Sequence, residues 1–202
     1  MLEIVISSRN NGKKRELKSL LKGLAIRVLD LNDFPAAPKV KEKWKTFEEN
    51  ASAKALKIAK FTKRLALADD SGLEVEALGG RPGVYSARFA GNNATDEANN
   101  RKLLKALAGV PKPKRKAKFI CVIALADKDK LAGLVRGEYR GRITFEPEGK
   151  NGFGYDPIFF SPKHNKTFAQ LSPGEKNAVS HRGKALRKAK KLIDRRLRRA
   201  FP

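Results

Sequence analysis

The chain has 202 residues, 41% of them hydrophobic, with 45 Lys and Arg against 21 Asp and Glu, a formal net charge of +24. That length suffices for one sizeable domain spanning 1–202, and the single cysteine, Cys121, excludes an intramolecular disulfide framework. No apolar run approaches a membrane span, and the opening MLEIVISS lacks the basic-then-apolar pattern of a signal peptide, so the chain reads as soluble and cytoplasmic. Its charge suits an anionic partner or a solvated cationic surface.

LEIVIS reads as a short buried strand that ends in the polar turn SSRNNGK. From Lys13, the positions Leu17, Leu20, Leu21 and Leu24 follow helical spacing, and LAIRVLDL alternates like a strand. Thr46 and Glu49 form a capping box for a helix whose Ala51, Ala55, Ile58 and Ala59 share a face. LALA predicts a strand that gives way to a turn at Asp69-Asp70-Ser71-Gly72, followed by the extended segment GLEVEAL and the Gly-rich loop GGRPGVYSARFAG. Thr95 opens a helix to about Leu107, and VPKPKRKAK reads as a Pro-broken basic linker. FICVIALA is an apolar strand covered on both faces, with GLVRGEYRGRITFEP beside it and GFGYDPIFF turning into a further strand. SPGE caps a helix with Pro at its first position, and a C-terminal helix carries Leu186, Ala189, Ile193 and Leu197 on one stripe. Alternating strands and helices with hairpin material between them indicate an α/β fold with a mixed sheet.

Four segments could carry chemistry. Ser8-Arg9-Asn10-Asn11-Gly12-Lys13 joins a strand to a helix, where free backbone N–H groups and the helix dipole suit phosphate. Asp69-Asp70 could bind Mg²⁺, which keeps its waters and takes one or two carboxylates plus phosphate oxygens; capping of a turn is the structural alternative. Phe153-Gly154-Tyr155-Asp156 could offer a ring face and an acceptor to a nucleobase. Lys176, His181 and Arg182 fall at or near a helix; Lys176 and His181 are five residues apart, so one helical stripe cannot hold both unless the helix breaks.

In order, S-x-N-x-x-K-x-x-E, TFEENASAKA, ADDSGLEVEALGGRPGVYSARFAG, GFGYDPIF and EKNAVSHRGKAL resemble the inosine triphosphate pyrophosphatase family, from Ser8 to about Leu186. The resemblance implies Mg²⁺-dependent hydrolysis of aberrant purine nucleoside triphosphates (ITP, dITP, XTP) to monophosphate and pyrophosphate. It also implies an elongated mixed β-sheet flanked by helices, two lobes with the active site in the cleft between them, and a homodimer. By that resemblance Ser8 through Lys13 grip phosphate, Lys54 reaches the triphosphate, Ser71 touches substrate and Arg88 is a further phosphate contact. Asp70 is the catalytic aspartate and a metal ligand, Glu42 the second metal ligand, and Phe153 to Asp156 with Lys176, His181 and Arg182 form the base pocket. Lys43-Trp44 stands where the family often has Thr-Gly, which makes Glu48 and Glu49 alternative ligands to Glu42.

Base choice follows from hydrogen-bond polarity. Hypoxanthine and xanthine present an acceptor at O6 and a donor at N1, and adenine reverses both. A donor from Arg182 or His181 with Asp156 as acceptor would leave adenine with unmatched buried groups, a mismatch that discriminates by about 10⁴-fold. Two other classes compete: a basic nucleic-acid-binding protein, and a related pyrophosphatase acting on modified pyrimidine nucleotides. The first lacks aromatics interleaved with its basic runs, and the second is built around paired Arg where this chain has Asn10 and Lys13.

Overall fold

In the computed structural model residues 1–200 are described, with side chains at all but 20, 199 and 200, so the core position expected of Leu20 lies outside the described residues. Among the described residues there are eight strands and five α-helices. The strands are β1 (Leu2–Ile6), β2 (Ile26–Asp30), β3 (Leu65–Val75), β4 (Pro82–Gly83), β5 (Lys116–Asp127), β6 (Lys130–Ile143), β7 (Phe159–Ser161) and β8 (Lys166–Thr167). The helices are α1 (Asn11–Leu21), α2 (Phe47–Thr62), α3 (Asp96–Ala106), α4 (Pro173–Val179) and α5 (His181–Ala200). The strands hydrogen-bond in the order β2-β1-β3-β5-β6-β7-β8, with β4 paired to β3. β1 runs parallel to β2 and β3, whereas β7 is antiparallel to β6 and β8, so the sheet is mixed as expected.

The described residues divide into two compact units: residues 1–70, 121–137 and 182–200, and residues 71–120 and 138–181. The first unit has an aliphatic core, in which Ile4, Ile6, Leu65, Leu67, Ile123 and Leu125 meet Leu17 and Leu21 of α1 and Leu186, Ala189 and Ile193 of α5. Both helices are amphipathic, and burial of their apolar stripes anchors them. The second unit has an aromatic core. Phe119 lies 4.4 Å from Phe159 and Phe159 4.9 Å from Phe168 between ring centroids, packed with Leu103 of α3 and with Leu107, which caps that helix.

Helix ends follow local chemistry. Asn10 caps α1 by accepting from Lys13 N at 2.9 Å, so the helix starts at Asn11, two residues before its apolar periodicity. Thr46, Thr95 and Ser172 cap α2, α3 and α4, with Pro173 in the first turn of α4. Ser180 has ψ 160 and ends α4, and α5 begins at the next residue, so the helix between Lys176 and His181 does break.

Two expectations are corrected. No turn forms at Asp69-Asp70-Ser71-Gly72: β3 is a single strand that runs through them to Val75. The basic segment VPKPKRKAK is not a solvated linker. Its Arg115 is buried and donates to the carbonyls of Ile143 at 3.0 Å, Leu107 at 2.9 Å and Thr144 at 2.7 Å, and β5 already begins at Lys116. Charge predicts exposure only where the chain leaves no carbonyls to satisfy. The two-residue strand β8 has no sequence signal of its own length and exists through its pairing with β7.

Candidate active site

Successive side chains in a strand point to opposite faces, and this places the two aspartates in different surroundings. Asp69 Oδ2 lies 3.1 Å from Lys13 Nζ and 3.5 Å from Arg182 Nη2. Arg182 also donates to Glu16 Oε2 at 2.5 Å. Burial alone would lower the Arg182 pKa, but Glu16 and Asp69 outweigh it and hold the guanidinium charged. Asp70 Oδ1 accepts from Lys54 Nζ at 3.0 Å, and the same ammonium donates to Glu42 Oε1 at 2.8 Å. An acidic doublet is therefore tolerated in β3 because each carboxylate has its own cation. Separate cations, more than mutual avoidance, explain the pair.

Desolvation pushes the Asp70 carboxyl above its ordinary 3.8, against the opposing pull of Lys54 and Lys13. Desolvation works to lower Lys54, but Asp70, Glu42 and Asp69 together hold it above its ordinary 10.5. Asp70 Oδ2 is buried and has no hydrogen-bond partner among the described residues. Among those residues no cluster of three or more His, Cys, Asp or Glu could enclose a metal. Two converging carboxylates with one orphaned oxygen match a cation that takes few protein ligands and completes its shell with water and phosphate, as Mg²⁺ does. The donor set fits that ion.

The loop Ser8–Asn10 is held by Asn10 N donating to Ser8 Oγ at 3.3 Å and Arg9 Nη2 donating to the Ala37 carbonyl at 3.0 Å. Asn11 and Gly12 open α1, where the backbone N–H groups have no partner within the helix. Glu42 keeps its contact with Lys54 although Lys43-Trp44 follows it. Asn50 Nδ2 donates to the Trp44 carbonyl at 3.2 Å and its Oδ1 accepts from Trp44 N at 3.3 Å, which pins the segment. Glu48 pairs with Arg136 at 2.7 Å, and Glu49 closes the cap with Thr46.

In the second unit Asp156 is the hub. Its Oδ2 accepts from Lys176 Nζ at 2.6 Å and from Phe153 N at 2.9 Å, and Lys176 lies 4.7 Å over the Phe153 ring. Gly152 adopts φ +81 and a Cβ there would stand 2.1 Å from Asp156 Oδ2, so the turn requires glycine. Tyr155 OH donates to the Ser86 carbonyl at 2.8 Å, and His181 stacks on Phe119 at 4.6 Å. Arg88 lies 5.1 Å over the Tyr85 ring, and Ser71 is half-buried in β3.

Two residues escaped sequence reasoning. Gly154 N donates to Asp96 Oδ2 at 2.6 Å, and Asn100 Nδ2 donates to the Gly154 carbonyl at 3.1 Å. Asp96 and Asn100 lie one turn apart on α3 and fasten the GFGYDP loop by the N–H and the carbonyl of one residue, Gly154. Asn99, next to Asn100, holds Ala90 N and the Ala87 carbonyl. The readable signal was two consecutive asparagines, poor helix formers, inside a helix.

The Ham1 family model matches residues 4–192. A dITP/XTP pyrophosphatase of Desulforamulus reducens is 50% identical over 194 residues, 96% of each chain, and one of Geobacter sulfurreducens is 52% identical over 186 residues, 92% of this chain and 94% of the relative. A HAM1 protein structure from Coxiella burnetii superposes with TM-score 0.88 at 46% identity, covering 96% of this chain and 100% of that one. The Staphylococcus aureus Ham1 protein gives TM-score 0.85 at 42% identity, covering 95% and 98%. The match of one family model to nearly the whole chain, with relatives at half identity and structures of the same fold, means that the chain belongs to the Ham1 family.

Proposed function

We propose that the protein hydrolyses aberrant purine nucleoside triphosphates, namely ITP, dITP and XTP, to the monophosphate and pyrophosphate. The observation that carries this reading is the Lys54-bridged pair of Glu42 and Asp70, with Asp70 Oδ2 left without a hydrogen bond among the described residues. The names of relatives at about half identity, dITP/XTP pyrophosphatase, supply the substrate class.

In the first unit, the amides of Ser8 to Gly12 with Lys13 and Lys54 would carry the triphosphate, whose roughly four negative charges need several donors. Asp70 would orient the attacking water and accept its proton. Asp70 and Glu42 would hold Mg²⁺, which when bound neutralises charge developing on the leaving pyrophosphate. In the second unit, Phe153 would offer a ring face and Asp156, paired with Lys176, an acceptor for N1–H. Ser71, Arg88, His181 and Arg182 would be further substrate contacts. We place the enzyme in the cytoplasm as one domain over 1–202 acting as a homodimer, which predicts a light-scattering mass twice the 22.4 kDa of the chain. Among the described residues no helix is long and apolar enough to cross a membrane.

The test is pyrophosphate release with Mg²⁺ from ITP, dITP, XTP, ATP and dTTP supplied separately. Turnover of the first three at rates at least about 10²-fold above ATP supports the reading. Equal turnover of all five, or release from dTTP alone, refutes it.

A further inference from the structure

The outer face of α5 carries only positive charge. Among its described side chains from 184 to 198, those exposed to solvent are Lys184, Arg187, Lys188, Lys191, Arg195 and Arg198. At 3.6 residues per turn these positions fall on one arc about 100° wide and about 21 Å long. The opposite arc, Ala185, Leu186, Ala189 and Ile193, is buried in the aliphatic core. Asp194 and the Arg196–Asp127 ion pair lie off the cationic arc. Lys188, at one edge of the arc, donates from Nζ to the Arg136 carbonyl at 2.7 Å, and Lys190, beyond Asp194 at the other edge, donates from Nζ to the Lys22 carbonyl at 3.3 Å.

Such a face is unfavourable for the helix itself. Like charges three and four residues apart repel, and the first turn of α5 contains no acid to match its dipole. A dense row of anions would offset that repulsion.

We propose that this face of α5 is a sequence-independent docking surface for the phosphate backbone of double-helical DNA. Four physical arguments select that partner. The arc has no aromatic side chain on which single-stranded bases could stack. It has no exposed apolar side chain to enter a bilayer, since the apolar stripe is already buried in the core. The B-DNA major groove, about 12 Å wide, accepts a helix face between its two phosphate rows, whereas the deep major groove of A-form RNA does not. Six basic side chains along about 21 Å, one per about 3.5 Å, also match the axial phosphate spacing of one strand of a duplex, about 3.4 Å. The surface is independent of the catalytic reading, because none of its residues belongs to the proposed site.

The test is fluorescence anisotropy of a labelled DNA duplex of about 20 base pairs and arbitrary sequence, titrated with the whole protein between 50 and 300 mM NaCl. The expected log–log salt slope is about −4 to −5, and it becomes shallower by about 3 to 4 in the quadruple variant Lys188→Gln, Lys191→Gln, Arg195→Gln, Arg198→Gln. A control variant, Lys105→Gln, Lys112→Gln, Lys114→Gln, Lys116→Gln, removes the same charge from exposed positions of the second unit and should keep the parent slope. Thermal melts verify folding; if the quadruple variant is unfolded, Lys191→Gln with Arg195→Gln should make the slope shallower by about 2. The proposal is overturned by absence of duplex binding at 50 mM NaCl, or by equal losses in the α5 and control variants. It is equally overturned if phosphatidylglycerol vesicles bind through these residues and the duplex does not.

Discussion

A single peptide bond separates two acids with different partners. Asp69 faces Lys13 and Arg182, and Asp70 faces Lys54 and Glu42. Replacing Asp70 with Asn keeps its shape and removes its basicity, so turnover should fall by about 10²- to 10⁴-fold while nucleotide affinity stays within a few-fold, measured by steady-state kinetics and calorimetry. Retained turnover would exclude Asp70 as the base. Gly152 is equally constrained, because its φ of +81 and the Asp156 carboxylate where a Cβ would stand leave no space for a methyl group. Gly152→Ala should cost about 1–3 kcal/mol in urea denaturation. Candidate residues carried by a compact motif were legible in the sequence. Asp96 and Asn100 were not, because their importance lies in a contact more than fifty residues away, with the Gly154 peptide.

At the scale of elements, the caps at Thr46, Thr95 and Ser172 were readable because their chemistry is local, whereas the Asn10 cap was not anticipated. Asn10, Thr46, Thr95 and Ser172 each satisfy amides within three residues of themselves. Strand length was less readable. LALA and GLEV form one strand because tertiary cations neutralise the acids between them, and local propensity carries no information about those cations. Arg115 teaches the same lesson from the other direction, since a basic run hides the guanidinium that ties three segments together. Arg115→Met should therefore destabilise the fold by about 3 kcal/mol, and Lys should not restore it, because an ammonium lacks the planar fork that reaches separate carbonyls. Chemical denaturation of the three proteins decides this. At the end of β2, desolvation raises the Asp30 pKa but is outweighed by the hydrogen bond from Lys18 and the Asn32 amide, so the carboxyl sits below its ordinary 3.8. A lowered folded-state value means that the ionised group stabilises the protein above its unfolded pKa and that this contribution disappears as pH falls through the folded one. The melting temperatures of parent and Asp30→Asn should differ near pH 6 and converge as the pH is taken well below 3.8. The difference should be small, as Lys18 is half exposed to water.

For the whole molecule the governing quantities are one mixed sheet, two cores of different composition and a charge of +24. The sheet class and the apolar strands were legible from alternation. The partition into an aliphatic and an aromatic core was not, because it depends on which distant segments meet. A charge of that size repels itself, and salt screens it within about 10 Å at 0.1 M. Raising NaCl from 20 to 300 mM should therefore increase the melting temperature by several degrees, read by differential scanning fluorimetry; a fall would mean that ion pairs outweigh the repulsion. The uninterrupted course of β3 has one more consequence. Because the paired carboxylates are told apart by the parity of the pleat, inserting one uncharged residue upstream of Asp69 would exchange the faces they occupy without altering charge. Inserting two would return each to its own side, displaced along the strand. Paired one- and two-residue insertions thus make the chemistry of the site a readout of odd and even.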